Sequence, residues 1–162
     1  HSFPTRRSSD LFHPQEPIHF VNCCIFLPDK NNVHVDCTST HMTCRVLSLE
    51  QEIDGKWDKY INNIYKQVRH GKDVEMMSLA EAFVHFTYEH SGRQALVADI
   101  QGRARNGQLI LSDPAVLTRD WELKCQFGRT NIGQRGIREF EKSHKCNYVC
   151  TALGLSQLRS NR

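Results

Sequence analysis

Apolar and β-branched residues are concentrated in short stretches near the start of the chain. Residues 19–27 are rich in Phe, Val, Ile and Cys and precede a Pro-Asp turn signal, so they are predicted to form a strand. Residues 33–36 and 44–49 predict two more short strands, which form a hairpin of undetermined register. Over residues 56–68 the apolar positions recur every three or four residues, the period of an amphipathic helix.

A helix is predicted for residues 79–90, where apolar residues recur on one face. These residues are Leu79, Ala82, Phe83 and Phe86. Ser78 can cap the first turn, Glu81 completes the S-x-x-E capping pattern, and Gly92 is a typical stop. His85 lies at the flank of the apolar face, so it either faces inward as a ligand or is an ordinary helix histidine.

A strand, a loop and a second strand are predicted to follow this helix. Residues 94–100 predict a buried strand, residues 103–107 a polar loop and residues 108–111 a short strand. Asp99 lies near the end of the first strand, and Asp113 follows the last. Polar groups at strand ends are typical of active sites, whereas an acid seen alone in such a position more often belongs to a turn.

The last quarter of the chain combines a helical pattern with a cluster of metal ligands. A helix is predicted from about Gln134, and its apolar spacing continues through Ile137, Phe140, His144 and Tyr148. His144, Cys146 and Cys150 are ligands that suit zinc. The chain should bend between His144 and Cys146, because residues two apart lie on opposite sides of a helix. Three ligands leave one position, which is either open for catalysis or filled by a distant residue.

Composition limits the class of protein. A chain of 162 residues is consistent with one domain. Its 21 basic and 18 acidic residues are spread along the chain, so a nucleic-acid partner is not indicated, and its apolar runs are too short to cross a membrane. Seven cysteines in an irregular pattern favour a reducing, cytoplasmic compartment and one metal site over an extracellular disulfide framework.

Residues 1–11, with the sequence HSFPTRRSSDL, resemble the translation of a sequencing adapter. They lack the apolar core that a signal peptide needs. We therefore exclude them from the fold, and we expect the authentic sequence to begin near Phe12 and the chain to be a fragment.

Four sequence blocks, in order, resemble the C-terminal half of an alpha-kinase domain. They are EAFVHFTYEHSGRQALVADIQG at residues 81–102, SDP at 112–114, FGRTNIGQRGI at 127–137 and HKCNYVCTALGL at 144–155. This family of atypical serine/threonine kinases includes the elongation-factor-2 kinase, the myosin heavy chain kinases and the TRP-channel kinases. Upstream, EIDGKWDKYINN at residues 52–63 resembles the stretch after the family's hinge, which implies a partly irregular segment there and not a helix.

The resemblance implies an α+β fold, namely the C-lobe of an atypical protein-kinase-like domain with its hinge and the end of its N-lobe, stapled by zinc. Residues 12–50 would form the end of the N-lobe and the hinge, residues 51–158 the C-lobe, and residues 159–162 a tail. By the same resemblance, His85 is the fourth zinc ligand beside His144, Cys146 and Cys150.

The resemblance also implies a nucleotide site. Asp99 matches the catalytic aspartate, and Gln101 and Asp113 match the family's Mg²⁺ ligands. The remaining nucleotide-binding positions are Glu50 and Gln51 of the hinge segment, and Lys59, Asn62 and Asn63, with Ile61 as a departure from the family pattern. The glycine-rich loop with Gly128, Asn131 and Gly133 matches a substrate-binding loop, and a plain loop is the alternative.

The implied activity is ATP- and Mg²⁺-dependent phosphorylation of serine or threonine in a protein substrate. The family's phosphate-binding lysine is expected upstream of residue 12, so this fragment is expected to be inactive by itself. The segment between Gln101 and Asp113 is longer than usual, and SDPAVLT and GRTNIG depart from the family pattern. The alternatives are a zinc-stabilised pseudokinase lobe that serves as a protein-binding scaffold, and a zinc hydrolase with an open metal site.

Overall fold

Short strands and one long helix make up the part of the chain that the computed structural model describes, which is residues 17–26, 47–65, 73–120 and 127–158. The strands are β1 (Ile18–Phe20), β2 (Cys23–Phe26), β3 (Leu47–Glu50), β4 (Asp58–Lys59), β5 (Ala95–Ala98), β6 (Gln101–Arg105), β7 (Gln108–Leu111) and β8 (Ala115–Thr118). The helices are α1 (Val74–His90), α2 (Gln134–Ser143) and α3 (Tyr148–Ala152). Among these residues, no helix has the length and apolar character needed to span a bilayer.

The largest sheet has the order β1-β7-β6-β4. Its centre is a β6–β7 hairpin whose turn is Asn106-Gly107, and both turn residues have positive φ. Asn-Gly favours a two-residue hairpin turn because both residues tolerate this conformation. The prediction of a polar loop over residues 103–107 is therefore wrong for residues 103–105, which belong to β6, and confirmed for the turn at 106–107. The predicted strand at 108–111 is confirmed.

Gly102 allows β6 and β7 to approach closely. Its φ is +147°, and a Cβ atom at this position would lie 2.0 Å from the Ile110 carbonyl oxygen. No other residue type fits there without displacing the backbone.

The strand predicted over residues 19–27 is divided into β1 and β2, which join different sheets. β1 pairs in parallel with β7, and β2 pairs in antiparallel with β3, with Cys23 opposite Glu50. The predicted strand at 33–36, and with it the predicted hairpin, lies outside the described residues. Within the stretch predicted at 44–49, β3 starts at Leu47.

Residues 58–65 form a short strand and an irregular segment. β4 pairs with β6, with Lys59 opposite Gln101, and the backbone N–H groups of Tyr60 and Ile61 both donate to the Ile100 carbonyl. These bonds to a neighbouring strand override the local helical period. The helix predicted from the periodicity is therefore wrong up to residue 65, and the irregular segment implied by the resemblance is confirmed there.

α1 begins one turn earlier than predicted. Asp73 is its N-cap and accepts a hydrogen bond from the Glu75 backbone N–H at 2.8 Å, so the predicted Ser78–Glu81 capping box is wrong. The helix ends at His90, just before Gly92, as predicted. Leu79 and Ala82 are buried as expected, whereas Phe83 and Phe86 are only half-buried because α1 turns a different side towards the core. That side includes Val84, His85 and Tyr88.

β5 pairs with β8, a strand not predicted from the sequence, and α1 packs against β5. α2 begins at Gln134, as predicted, and buries Ile137 and Phe140. It ends at Ser143, and His144 is extended, which confirms the bend before Cys146. Tyr148 is exposed at the start of a separate helix, so the predicted continuation of the apolar face to Tyr148 is wrong.

Candidate functional site

Four potential metal ligands meet between α1 and the C-terminal segment. The ligand atoms of His85, His144, Cys146 and Cys150 all lie within 4.8 Å of one another. The Cys146 Sγ is 3.8 Å from the His85 Nδ1, and the Cys150 Sγ is 3.6 Å from the His144 Nε2. In a tetrahedral zinc site with normal bond lengths, nitrogen and sulfur ligands are about 3.6 Å apart. The predicted convergence of the four side chains is confirmed, and the donor set fits a closed zinc site.

Burial favours the neutral forms of three side chains of this cluster, namely His85, His144 and Cys150. Burial lowers the pKa of His85, although the nearby Glu89 carboxylate opposes this effect. Burial, and secondarily the neighbouring His85, lower the pKa of His144 to about 4. Burial also raises the pKa of Cys150 to about 11. The imidazoles are thus in the form that binds metal, and a bound cation would supply the charge that stabilises a buried thiolate.

Asn147 organises the chain around the two cysteines. Its Oδ1 accepts hydrogen bonds from the backbone N–H groups of Val149 and Cys150, and its Nδ2 donates to the Ser78 carbonyl of α1 at 2.9 Å. The Asn147 side chain thus caps α3 and also links α3 to α1. This role of Asn147 was not predicted, although an asparagine directly before a helix is a known capping signal.

A second group of polar side chains surrounds the junction of β4 and β6. The Lys59 Nζ lies 2.8 Å from the Asp99 Oδ1. Lys59 is directly opposite Gln101 on the adjacent strand, so the two side chains share one face of the sheet. The Gln101 Nε2 donates to the Asp113 backbone carbonyl at 3.3 Å. The structure therefore brings Lys59 and Asp113 to the neighbouring residues Asp99 and Gln101, although Lys59 is forty positions away in the sequence.

The two aspartates of this group have unusual backbone conformations. Asp99 has φ of +56° and Asp113 has φ of +49°, both in the left-handed region. Aspartate tolerates this region better than most residues, but the conformation still has an energetic cost. Such residues are concentrated at functional sites, where the surrounding structure holds them in place.

The end of β3 is connected to the same group. The Ser112 Oγ donates a hydrogen bond to the Glu50 carboxylate, which links the end of β3 to the turn that contains Asp113. The Gln51 backbone N–H bonds to the Asn22 carbonyl, and the Gln51 side chain is exposed. Ser112 was not predicted as a contact of Glu50, because only the tertiary structure brings the two residues together.

Asn62 and Asn63 lie in the irregular segment after β4. The Asn62 Oδ1 accepts from the Ile64 backbone N–H, and its carbonyl accepts from the Tyr65 N–H, so Asn62 shapes a turn. Asn63 is half-buried. The two residues lie on the same segment as Lys59, as the resemblance implied.

The glycine-rich loop is held by a buried asparagine. Asn131 is 1% exposed, and its Oδ1 accepts from the backbone N–H groups of Thr118 and Gly133. Its Nδ2 donates to the Thr118 Oγ1 at 2.8 Å. Gly133 is buried at the start of α2, and Gly128 is exposed. Asn131 therefore fastens the loop to β8, and Gly128 is the accessible member of the predicted set.

Comparisons with known proteins agree on one family. The alpha-kinase family model matches residues 1–150, a range that includes the residues set aside as adapter-derived. Myosin heavy chain kinase B of Dictyostelium discoideum is 33% identical over 147 residues, which are 91% of this chain and 17% of that protein. Human eukaryotic elongation factor 2 kinase is 38% identical over 108 residues, which are 67% of this chain and 13% of the kinase.

Solved structures agree with the sequence comparisons. The alpha-kinase domain of myosin heavy chain kinase A in complex with AMP superposes with a TM-score of 0.68 at 30% identity, over 88% of this chain and 50% of that chain. An inactive form of the same domain in complex with ATP gives a TM-score of 0.65, over 86% of this chain and 48% of that chain. This chain thus spans about half of the solved domain and a small share of its full-length relatives.

Proposed function

The chain belongs to the alpha-kinase family, and from this premise we propose that it is the C-terminal part of a serine/threonine kinase domain that transfers phosphate from ATP to a protein. The observation that carries the proposal is the group formed by Lys59, Asp99, Gln101 and Asp113. Phosphoryl transfer depends mainly on positioning and on neutralising charge, and these residues supply a cation and oxygen donors in one place.

Asp99 is the proposed catalytic residue. Its carboxylate would accept a hydrogen bond from the substrate hydroxyl, orient that hydroxyl and receive its proton. Lys59 holds the carboxylate at 2.8 Å, so the orientation of Asp99 is set before a substrate binds. The left-handed backbone at Asp99 is consistent with a position retained for function.

Gln101 and Asp113 would hold Mg²⁺ together with phosphate and water. Mg²⁺ takes oxygen ligands and needs only one or two protein carboxylates. When bound, the ion supplies positive charge that offsets the negative charge of the transferring phosphoryl group. The hydrogen bond from Gln101 to the Asp113 carbonyl keeps the two residues adjacent.

Glu50 and Gln51 would face the adenine, as the hinge, and Asn62 and Asn63 would support the nucleotide site from the segment after Lys59. The accessible backbone of the loop at Gly128 would contact the protein substrate, while Asn131 and Gly133 hold that loop in shape. Binding of AMP and ATP by the related myosin heavy chain kinase A domain supports a nucleotide site in this chain.

The cluster of His85, His144, Cys146 and Cys150 would hold one structural zinc ion. Four protein ligands close the coordination sphere, which leaves no position for a reacting water molecule. The alternative of a zinc hydrolase with an open metal site requires His85 to lie away from the cluster. The His85 Nδ1 is instead 3.8 Å from the Cys146 Sγ. A closed site would staple α1 to the C-terminal segment.

We further propose that the protein is cytoplasmic and that the active enzyme is a longer chain with the complete kinase domain. Thiolate ligands stay available for zinc in a reducing compartment. Since the chain spans about half of the solved kinase domain, the 162-residue chain alone is expected to be inactive, and the activity belongs to a protein with the full domain.

A paired phosphorylation assay tests this function. The 162-residue chain and a longer chain with a complete kinase domain are incubated with labelled ATP, Mg²⁺ and a threonine-containing helical peptide. We expect phosphate transfer by the longer chain only. We also expect Asp99→Asn to abolish that transfer and Asp120→Asn, an exposed aspartate after β8, to leave it intact.

Two results would change the proposal. Activity of the 162-residue chain that depends on Asp99 would show that it is sufficient for catalysis. A longer chain that folds, binds zinc and retains Asp99 but transfers no phosphate would favour the pseudokinase scaffold instead.

A further inference from the structure

One ring nitrogen of His144 faces the metal ligands and the other faces a buried tyrosine. The His144 Nε2 is 3.6 Å from the Cys150 Sγ, and the His144 Nδ1 is 2.5 Å from the Tyr65 hydroxyl. The two contacts lie on opposite sides of the ring. A histidine that binds metal through Nε2 must carry its proton on Nδ1, and this proton needs an acceptor when it is buried.

We propose that Tyr65 is the outer-sphere partner of the metal centre, whose phenol oxygen accepts the Nδ1 proton of His144 and so presents Nε2 to the metal. Tyr65 is a positioning residue, because it acts through His144 and does not touch the metal. This inference rests on the proposed zinc site, and it adds a residue that no sequence motif indicated.

The surroundings of Tyr65 support this role. Its side chain is 2% exposed, and its ring packs edge-on against Phe140 with centroids 4.7 Å apart. Its φ is +56°, a left-handed conformation that is unusual for a bulky aromatic residue. Strained conformations persist only where other contacts hold the residue. The phenol–imidazole bond and the packing against Phe140 are two of the contacts that hold Tyr65.

His85 differs from His144 in its outer contact. Its Nδ1 faces the Cys146 Sγ, while its buried Nε2 lies 3.9 Å from the Glu89 carboxylate, beyond hydrogen-bonding distance. Among the described side chains, the short outer-sphere hydrogen bond to a histidine of the cluster is therefore the one between Tyr65 and His144. Loss of the Tyr65 hydroxyl should weaken metal binding at this histidine.

The same residue joins the metal centre to the proposed nucleotide site. Tyr65 lies six residues after Lys59, and Lys59 pairs with Asp99 at 2.8 Å. The Tyr65 N–H donates to the Asn62 carbonyl at 3.0 Å, and the Tyr60 N–H donates to the Ile100 carbonyl. Residues 59–65 are thus linked to the proposed catalytic residue Asp99 through Lys59 and to the metal ligand His144 through Tyr65.

Tyr65→Phe tests the inference, because it removes one oxygen and retains the ring that packs on Phe140. Tyr88→Phe is the matched control, since Tyr88 is equally buried at 2% exposed and packs against Phe140 at 5.0 Å. The Tyr88 hydroxyl donates to the Glu141 carboxylate at 2.5 Å and does not contact the cluster. The Tyr88 hydroxyl also accepts a hydrogen bond from Arg119 at 3.3 Å. Both variants lose phenol hydrogen bonds of a buried tyrosine, and only Tyr65→Phe loses one to a metal ligand.

Zinc affinity is measured on the 162-residue chain and both variants by competition with a chromophoric chelator. We expect Tyr65→Phe to weaken zinc binding about 10- to 100-fold, the usual effect of losing an outer-sphere partner, and Tyr88→Phe to leave it unchanged. Histidine nitrogen NMR of the zinc-loaded wild type should show His144 with a protonated Nδ1 and a metal-bound Nε2.

Equal zinc affinities for wild type and Tyr65→Phe would overturn the inference, as would a metal-bound Nδ1 at His144. Equal weakening by Tyr65→Phe and Tyr88→Phe would also overturn it, because the effect would then be general loss of stability. A wild-type chain that binds no zinc would instead refute the proposed metal centre, and the inference with it.

Discussion

The ammonium group of Lys59 lies 2.8 Å from the carboxylate of Asp99, although the two residues are forty positions apart in the chain. Backbone pairing of β4 with β6 sets this distance, because it places Lys59 opposite Gln101, two residues after Asp99. The Asp99 side chain is 15% exposed and the Lys59 side chain 41%, so the pair lies at the edge of the solvent, where a substrate can reach it.

We predict that Lys59→Met in a chain with the complete kinase domain lowers kcat by about 100-fold or more, because the proposed catalytic carboxylate of Asp99 loses the group that orients it. The fold should be retained, since methionine keeps the aliphatic stem. Steady-state kinetics with ATP and a protein substrate measure the effect. Lys56→Met is the control, because the Lys56 side chain is 81% exposed and lies 3.7 Å from Asp58. Equal kcat values for the two variants would contradict the prediction.

We predict that Cys150→Ser removes zinc and lowers the free energy of unfolding by roughly 3 kcal/mol or more, since a structural metal contributes its binding energy to folding. Metal analysis and urea unfolding measure the two effects. Cys24→Ser is the control, because Cys24 is exposed on β2 and distant in sequence from the cluster. Zinc at one equivalent in Cys150→Ser would show that this thiolate is not a ligand.

Stability should fall in acid because of the cluster histidines. The pKa of His144 is lowered to about 4 in the folded chain, and the pKa of His85 is also lowered. Below about pH 6.5 the unfolded chain takes up protons that the folded cluster does not accept, so the free energy of unfolding falls as the pH decreases. The fall due to His144 is complete only below about pH 4. Each histidine contributes at most about 1.4 kcal/mol per pH unit. Above about pH 6.5 both histidines are neutral in the unfolded chain too, so the folded chain keeps its full stability.

Urea unfolding across this pH range measures the effect, and the zinc content of each sample is determined in parallel. His144→Gln should flatten the dependence, because it removes the side chain with the pKa of about 4. A wild-type unfolding free energy that stays constant from about pH 6.5 to about pH 4 would contradict the burial of neutral histidines.

We predict that Gly102→Ala destabilises the fold by about 3 kcal/mol or more, because the added Cβ would lie 2.0 Å from the Ile110 carbonyl oxygen. Gly107→Ala is the control. Its φ is also positive, at +77°, but nothing lies within 4 Å of the added atom, so only the backbone strain of about 1 kcal/mol is expected. Thermal unfolding of both variants separates the steric effect from the conformational one. Equal losses would show that β6 and β7 are further apart.

We predict that Asn131→Ala lowers the free energy of unfolding by about 1–3 kcal/mol, because it leaves buried partners unpaired at Thr118 and Gly133. In a chain with the complete kinase domain it should also raise KM for the protein substrate more than KM for ATP, since the loop changes shape. Thr130→Ala, an exposed neighbour in the loop, should change neither KM value nor stability. Unchanged substrate KM in Asn131→Ala would argue against a substrate-binding loop.

Residue chemistry and local pattern were sufficient for several features of this protein. The H-x-C-x₃-C spacing from His144 to Cys150 indicated a group of metal ligands and a bend in the chain, because ligand type and helical geometry are local properties. The start of α2 at Gln134 and the end of α1 before Gly92 followed from local signals in the same way. The family resemblance rested on motif blocks, each of which is also local.

Other features depended on contacts between distant parts of the chain. The periodicity of residues 56–68 predicted a helix, but β6 offered backbone partners to Lys59 and its neighbours, and a strand with an irregular segment formed instead. α1 starts at Val74 and not after Ser78, because the earlier start keeps a side-chain cap at Asp73 and also buries Met76 and Met77. Tertiary burial outweighs local capping, which is worth only about 1 kcal/mol.

The residues of the candidate sites also combine features that the sequence determines with features that only the tertiary structure decides. The sequence by itself determined which residues could bind metal or phosphate, because that chemistry belongs to the side chains. Only the tertiary structure decided their partners: Lys59 beside Asp99, Ser112 beside Glu50 and Tyr65 beside His144. Side chains separated by tens of residues meet only where strand pairing and core packing bring their backbones together. No local pattern at Tyr65 records that it will lie against a residue of the metal cluster.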